Sequence, residues 1–240
     1  MDTQYHFRNL NNNSKVELLN SISLKQQIEF IDNIGIYDNT EESLYALFEF
    51  LKRRLISHFS MPGIIDALAY QKLKESLSPE IQKMLNAEFN DGIINLITDS
   101  GISYTDLHDS LINCRFQDAD KLTHSKLCAL AQILDTDRKW LYFSDISKIP
   151  VKDILLIDHL WFIYSRGKFG FSAQRKVWLG VNKNWDHLWL KLGWKKGLIL
   201  CRYPTEFIWS VNAPIGHLPL FNQLRGNQVL NTLFNLDIWN

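Results

Sequence analysis

The chain has 240 residues, enough to bury one large core or two smaller ones, and its composition, 46% hydrophobic and 22% charged, is that of a folded protein and excludes a disordered one. Lys plus Arg equal Asp plus Glu at 26 each, so no overall field draws the chain to nucleic acid or to an anionic membrane. Cys114, Cys128 and Cys201 are odd in number and far apart, which argues against a secreted disulfide framework or a paired-cysteine metal site and predicts reduced thiols.

Met1 to Asn13 contains Asp2 and no apolar core, so neither a secretory leader nor an Arg/Ser-rich transit peptide is expected there. No uncharged apolar run approaches the ~20 residues that span a bilayer, and a soluble protein is expected. Apolar residues then recur at helical spacing, as in Leu44-Leu47-Phe48-Leu51-Leu55, and predict helices over 14–22, 24–34, 41–59, 63–76 and 79–90. Asn39 with Glu42 has the form of a capping box, and Ser78 followed by Pro79 has the form of a cap with proline at the first helical position. An antiparallel helical bundle over 1–95 is the expectation. Gly92, Asp99, Ser100 and Gly101 weaken the pattern and mark a junction, with a second domain over 102–240. Tryptophan supports the division, because all 8 lie from Trp140 onward.

The second half opens with a predicted helical hairpin over Tyr104–Ala131, bent near Asn113–Phe116. Val151–Ser165 reads as a helix with Leu155, Leu156, His159, Leu160 and Ile163 on its inner side. From Arg166 to Leu220 glycines and prolines interrupt the pattern, predicting loops anchored by Trp178, Trp185, Trp189, Trp194 and Trp209. Helical spacing returns over Phe221–Phe234. The fold class expected is mainly α.

Catalysis needs a nucleophile with its base, a carboxylate pair in contrasting environments, or a metal cluster, and none is visible. Asp153, Asp158 and His159 read as a solvated helix face, since adjacent helical residues point apart. Arg166-Gly167-Lys168-Phe169-Gly170-Phe171 lacks the spacing of a phosphate loop. His217, set between Pro214 and Pro219, reads as a hydrogen-bonded histidine that pins a loop in preference to an axial metal ligand. The aromatics of this half, beside Arg202 and Arg225, suit a large flat ligand with peripheral carboxylates, the shape of a tetrapyrrole; on pattern alone, core packing is the stronger reading.

Ordered strings across the second half narrow this choice. They are Phe116-Gln117-Asp118-Ala119-Asp120, Trp140-Leu141-Tyr142-Phe143, Ile157-Asp158-His159-Leu160-Trp161, Gly167-Lys168-Phe169-Gly170-Phe171-Ser172, Ala213-Pro214-Ile215-Gly216-His217-Leu218-Pro219 and Asn222-Gln223-Leu224-Arg225-Gly226. In this order they closely resemble the Genomes-uncoupled-four family of porphyrin-binding chelatase regulators. The resemblance spans 102–240; the first hundred residues match only in helical character.

The resemblance implies a helical porphyrin-binding core with a cupped surface and long aromatic-rich loops, and no enzyme activity. Protoporphyrin IX and Mg-protoporphyrin IX are the implied ligands, and the large porphyrin-binding subunit of magnesium chelatase the implied partner, in chlorophyll synthesis. No nucleic acid is implied, and membrane association would be peripheral at most. Phe143, Tyr203, Asn222, Leu224 and Arg225 fall where the family lines its porphyrin site. Tyr203 replaces the tryptophan expected of cyanobacterial relatives, and Gln228 stands where such relatives can have a second arginine. A helical interaction scaffold and a bilin-binding sensor are the alternatives. The Asn, Ile and Lys bias fits a plastid-encoded algal protein or a cyanobacterial cytoplasmic one.

Overall fold

The computed structural model describes residues 10–34, 41–57, 61–133, 138, 140–220 and 227–239. The chain divides into two compact units, Met1–Asn95 and Leu96–Asn240.

In the first unit each helix begins where a side chain can satisfy an orphan backbone N–H. Asn11 accepts from Ser14 N–H at 2.9 Å and starts α1, Asn12–Ser21. Ser23 and Gln26 cap each other reciprocally at the start of α2, Leu24–Asn33. Helix α3 runs Glu41–Ser57; Asn39, expected in its cap, lies outside the described residues. Asp66 accepts from Gly63 N–H at 2.8 Å at the entry to α4, Ile64–Lys74, and pairs with Arg54 of α3 at 2.6 Å. Ser78 caps α5, Pro79–Glu88, with proline in its first turn, as the sequence predicts. Helix α3 packs on α1, α4 and α5, and α2 packs on α4. Leu47, Phe50 and Leu51 of α3 and Ala67, Ala69 and Leu73 of α4 are fully buried in this unit.

The second unit is also helical, and a two-stranded hairpin is the only sheet among the described residues. Helices α6, Thr105–Ile112, and α7, Phe116–Leu130, form the expected hairpin, bent at Asn113–Arg115. A 3-10 turn, Phe143–Lys148, leads to α8, Val151–Tyr164. Ile154, Ile157, Leu160, Trp161 and Ile163 of α8 are all buried, so apolar residues reach round most of the helix, the pattern of a central core helix. Trp161 stacks on Phe116 at 6.0 Å between ring centres and donates from Nε1–H to Thr123 at 2.9 Å.

Two expectations fail on α8. Leu155, expected on the inner side, is 40% exposed, and His159 is only half-buried. Asp153 and Asp158, expected to be solvated, are buried. The face that meets water is the one bearing Lys152 and Leu155, and Asp153 and Asp158 lie on the packed side, where buried carboxylates must serve as internal acceptors. Asp153 accepts from Tyr104 OH at 2.6 Å and from the Thr98 and Ser100 hydroxyls at 2.7 Å each, which ties the segment before α6 to α8. Asp158 accepts from Ser172 N–H at 2.8 Å, capping the next helix from a distance. Burial raises its pKa, and that effect outweighs the hydrogen bonds from Ser172 and Phe171.

The tract 166–220 is not all loop. It contains α9, Phe171–Gly180, and α10, Trp185–Leu192. Two of the glycines that suggested loops, Gly170 and Gly193, sit at helix ends. Gly170 has φ 113° and adjoins Asp158 so closely that a Cβ would lie 2.6 Å from Oδ1. Gly193, at φ 71°, is the left-handed residue that stops α10. Strands β1, Lys195–Lys196, and β2, Ile199–Leu200, pair antiparallel, and the irregular segment 201–220 follows. Helix α11, Gln228–Phe234, packs on α9 and on the 3-10 turn; the expected start of a helix at Phe221 lies outside the described residues.

His217 holds the irregular segment to α10, as expected of a loop-pinning histidine. Its Nδ1–H donates to Leu192 O at 2.6 Å, its Nε2 accepts from Ile208 N–H at 3.1 Å, and its own carbonyl accepts from Trp194 Nε1–H at 2.7 Å. These partners require the neutral ring with the proton on Nδ1. Burial lowers the imidazole pKa, against the raising effect of the Leu192 bond.

Asp153→Ala leaves three hydroxyls without their shared acceptor and is expected to destabilise the second unit by about 3 kcal/mol. Urea unfolding followed by tryptophan fluorescence checks it, because every tryptophan lies in that unit. For His217 the folded state disfavours the proton, so its contribution is complete above the ordinary pKa of 6.5 and is lost as pH falls below that value. The thermal stability margin of the wild type over His217→Leu is therefore expected to shrink between pH 7 and pH 5.

Candidate ligand-binding surface

Three contacts clamp the end of the irregular segment onto the helices. Gly170 N–H donates to Leu218 O at 3.0 Å, Gln174 Nε2 of α9 donates to Pro219 O at 2.7 Å, and Leu220 N–H donates to Asp120 Oδ1 of α7 at 2.6 Å. Asp120 is buried, and desolvation pushes its carboxyl up to about 7 despite the Leu220 bond and the nearby Lys121. Pattern reasoning passed over Asp120 and Gln174. The available signal was periodicity: Asp120 lies four residues after Phe116 and three before Thr123, on the buried face of α7.

The clamped segment presents Tyr203. Its ring meets Trp209 edge-on at 5.8 Å and Phe207 at 6.4 Å, and Trp209 Nε1–H donates to Pro204 O at 3.0 Å. Phe207 in turn lies against the His217 ring at 5.6 Å. Tyr203 itself remains 42% exposed. Its phenol pKa is raised, chiefly by partial burial and further by the charges of Asp120 and Asp118 on α7. The same stretch leaves Leu198, Ile199, Leu200, Ile208 and Ile215 exposed, an unusual density of apolar side chains in water.

Phe143 is 53% exposed at the start of the 3-10 turn. A buried carboxylate braces that turn: Asp145 accepts from Tyr142 N–H at 2.9 Å, pairs with Lys148 at 3.0 Å and receives Arg138. Arg138 holds its carboxyl well below the usual range, and its guanidinium also lies 4.4 Å from the centre of the exposed Tyr142 ring. Gln228 is exposed in the first turn of α11, the helix that packs on this turn. The structure thus brings together the elements bearing Phe143 and Gln228, while Tyr203 stands on the irregular segment beside α7. Asn222, Leu224 and Arg225 lie outside the described residues.

Among the described residues no group of His, Cys, Asp or Glu is arranged to hold a metal ion, and no helix is long and apolar enough to cross a membrane. Arg202, paired with Arg225 in the sequence reading, is exposed, and its backbone N–H donates to Glu206 at 2.7 Å.

Comparison with known proteins bears on this surface. A family model described as GUN4-like matches residues 97–237. The ycf53 protein of Pyropia yezoensis is 43% identical over 230 residues, covering 96% of this chain and 94% of its own. The tetrapyrrole-binding protein, chloroplastic, of Arabidopsis thaliana is 37% identical over 138 residues, 54% of this chain and 52% of its own. The solved structure of GUN4 from Chlamydomonas reinhardtii superposes with a TM-score of 0.57 at 35% identity, covering 61% of this chain and 96% of that one. With its second unit matched almost from end to end, and a relative alike along nearly the whole length, the chain belongs to the GUN4-like family.

Proposed function

We propose that the chain is a non-catalytic tetrapyrrole-binding regulator that takes up protoporphyrin IX and Mg-protoporphyrin IX and stimulates magnesium chelatase in chlorophyll synthesis. The observation that carries the reading is the exposure of Tyr203 and Phe143, the latter beside the exposed Tyr142, in a unit that buries Trp161, Trp194, Phe116 and Phe169 completely. Leaving aromatic rings in water costs free energy that a flat apolar ligand returns by covering them. The surface fits such a ligand: Tyr203 is held at a fixed angle by Trp209, and exposed aliphatic side chains lie along the same segment. The name of the Arabidopsis relative supports the ligand class.

In this mechanism Tyr203 and Phe143 cover apolar parts of the macrocycle. Leu224 adds apolar surface, Asn222 donates a hydrogen bond and Arg225 pairs with a propionate carboxylate. Gln228 offers a neutral amide where a second cation would strengthen that clamp. The exposed remainder of the ligand is presented to the large porphyrin-binding subunit of the chelatase, which performs metal insertion. Relatives in Pyropia yezoensis, Porphyra purpurea and a Synechocystis strain support a place in an algal plastid or a cyanobacterial cytoplasm.

Titration with protoporphyrin IX, followed by tryptophan quenching, tests the proposal. Arg225→Ala is expected to weaken binding by roughly tenfold to a hundredfold, the value of one charged hydrogen bond. Tyr203→Ala and Phe143→Ala are expected to weaken it by about tenfold or more with helical circular dichroism unchanged. Affinity unaltered by all three substitutions would remove the ligand from this surface.

A further inference from the structure

We propose that Asp120 is a positioning residue for the Tyr203 segment: its carboxyl holds the segment down at Leu220, and loss of its proton loosens that hold and speeds release of bound tetrapyrrole. The part concerning ligand release rests on the function proposed above; the part concerning the anchor does not.

The argument begins with the three contacts on consecutive residues. Leu218 is held by a backbone amide and Pro219 by a neutral side-chain amide; only Leu220 is held by a group that titrates. That group comes from a helix 100 residues earlier in the chain and is buried. Its position makes two demands that conflict. A carboxylate accepts the Leu220 N–H more strongly than a neutral carboxyl does, which favours the charged form. Burial removes the water that would solvate the charge, which favours the neutral form. Desolvation is the larger effect, so the carboxyl keeps its proton up to about pH 7 while the segment is in place.

Linkage fixes the direction. If the segment lifts, Asp120 regains water and titrates near its ordinary value of 3.8. The lifted state therefore binds the proton more weakly, and its population grows as pH rises, by up to about tenfold per unit, until the curve flattens above about 7. Other groups act around this site. Lys121 on the same helix favours the charged form, whereas the Asp120 and Asp118 charges face the Tyr203 phenol and keep it protonated. His217, in the same segment, acts with the opposite sign, because its protonation at low pH breaks the bond from Ile208. A flattening near pH 7 after a loss of protection is the signature specific to Asp120.

The measurement is the protection factor of the Leu220 amide, its exchange rate relative to the unstructured chain at the same pH, between pH 5.5 and 8.5 in the full-length protein. Protection is expected to fall several-fold up to about pH 7 and then level. In Asp120→Asn, which keeps an oxygen acceptor without the charge, the fall should vanish. The dissociation rate of protoporphyrin IX, read by dilution into apomyoglobin, should rise several-fold from pH 6.0 to 7.5 in the wild type and stay level in the variant. Wild-type protection that does not fall with pH overturns the anchor, and this readout needs no variant. A fall that persists in a folded Asp120→Asn protein assigns the effect to another group and overturns the proposal. Falling protection with a pH-independent dissociation rate overturns the link to release. Absence of saturable porphyrin binding at either pH overturns the function proposed above, and the exchange data still decide the anchor.

Discussion

The imidazole of His217, bridging the carbonyl of Leu192 and the amide of Ile208, is the interaction on which the surface depends. A helix ends with carbonyls that have no partner within it, and an irregular segment packed on protein carries amides in the same condition. One neutral ring, donor on one nitrogen and acceptor on the other, answers both. Trp194 then donates to the carbonyl of the same residue, and the Phe207 ring packs against the imidazole at a tilt. The segment that bears Tyr203 consequently follows a defined course without a regular backbone ladder of its own.

The same logic recurs in buried carboxylates. Asp120, Asp153 and Asp158 each accept hydrogen bonds from a segment distant in sequence: the end of the Tyr203 segment, the stretch before α6, and the start of α9. An apolar core fills space but discriminates weakly among arrangements of a loop, whereas an unmet buried acceptor costs enough to exclude the wrong ones. The unit thereby combines a greasy interior with a few polar contacts that set its geometry.

These partners also explain what could be read from the sequence. Helices in the first unit were legible because Asn11, Ser23 and Ser78 cap locally and apolar spacing is regular. Mainly helical character and family membership were legible too, the latter from ordered Trp, Gly and Pro positions. Helices α9 and α10 were missed because they are short and bounded by glycine, and because the cap of α9 comes from Asp158, fourteen residues before Ser172. The burial of Asp153 and Asp158 was hidden for a related reason: their partners are set by tertiary packing, to which local pattern is blind. His217 could be read correctly because the flanking prolines and apolar residues announce a buried, irregular segment. On the candidate ligand surface, Phe143 and Tyr203 came from resemblance, and their exposure is visible only once the chain is folded.

The hairpin at the head of the Tyr203 segment is joined by Gly197 and Leu198 alone, with Leu198 93% exposed and open space around Gly197. Both flanks are secured elsewhere, by α10 on one side and by the Leu218–Leu220 contacts on the other. A graft at this tip, whether a peptide tag or a fluorophore-bearing cysteine, would leave those supports untouched. On the function proposed above, a reporter placed there would respond to the arrival of a pigment at the Tyr203 segment.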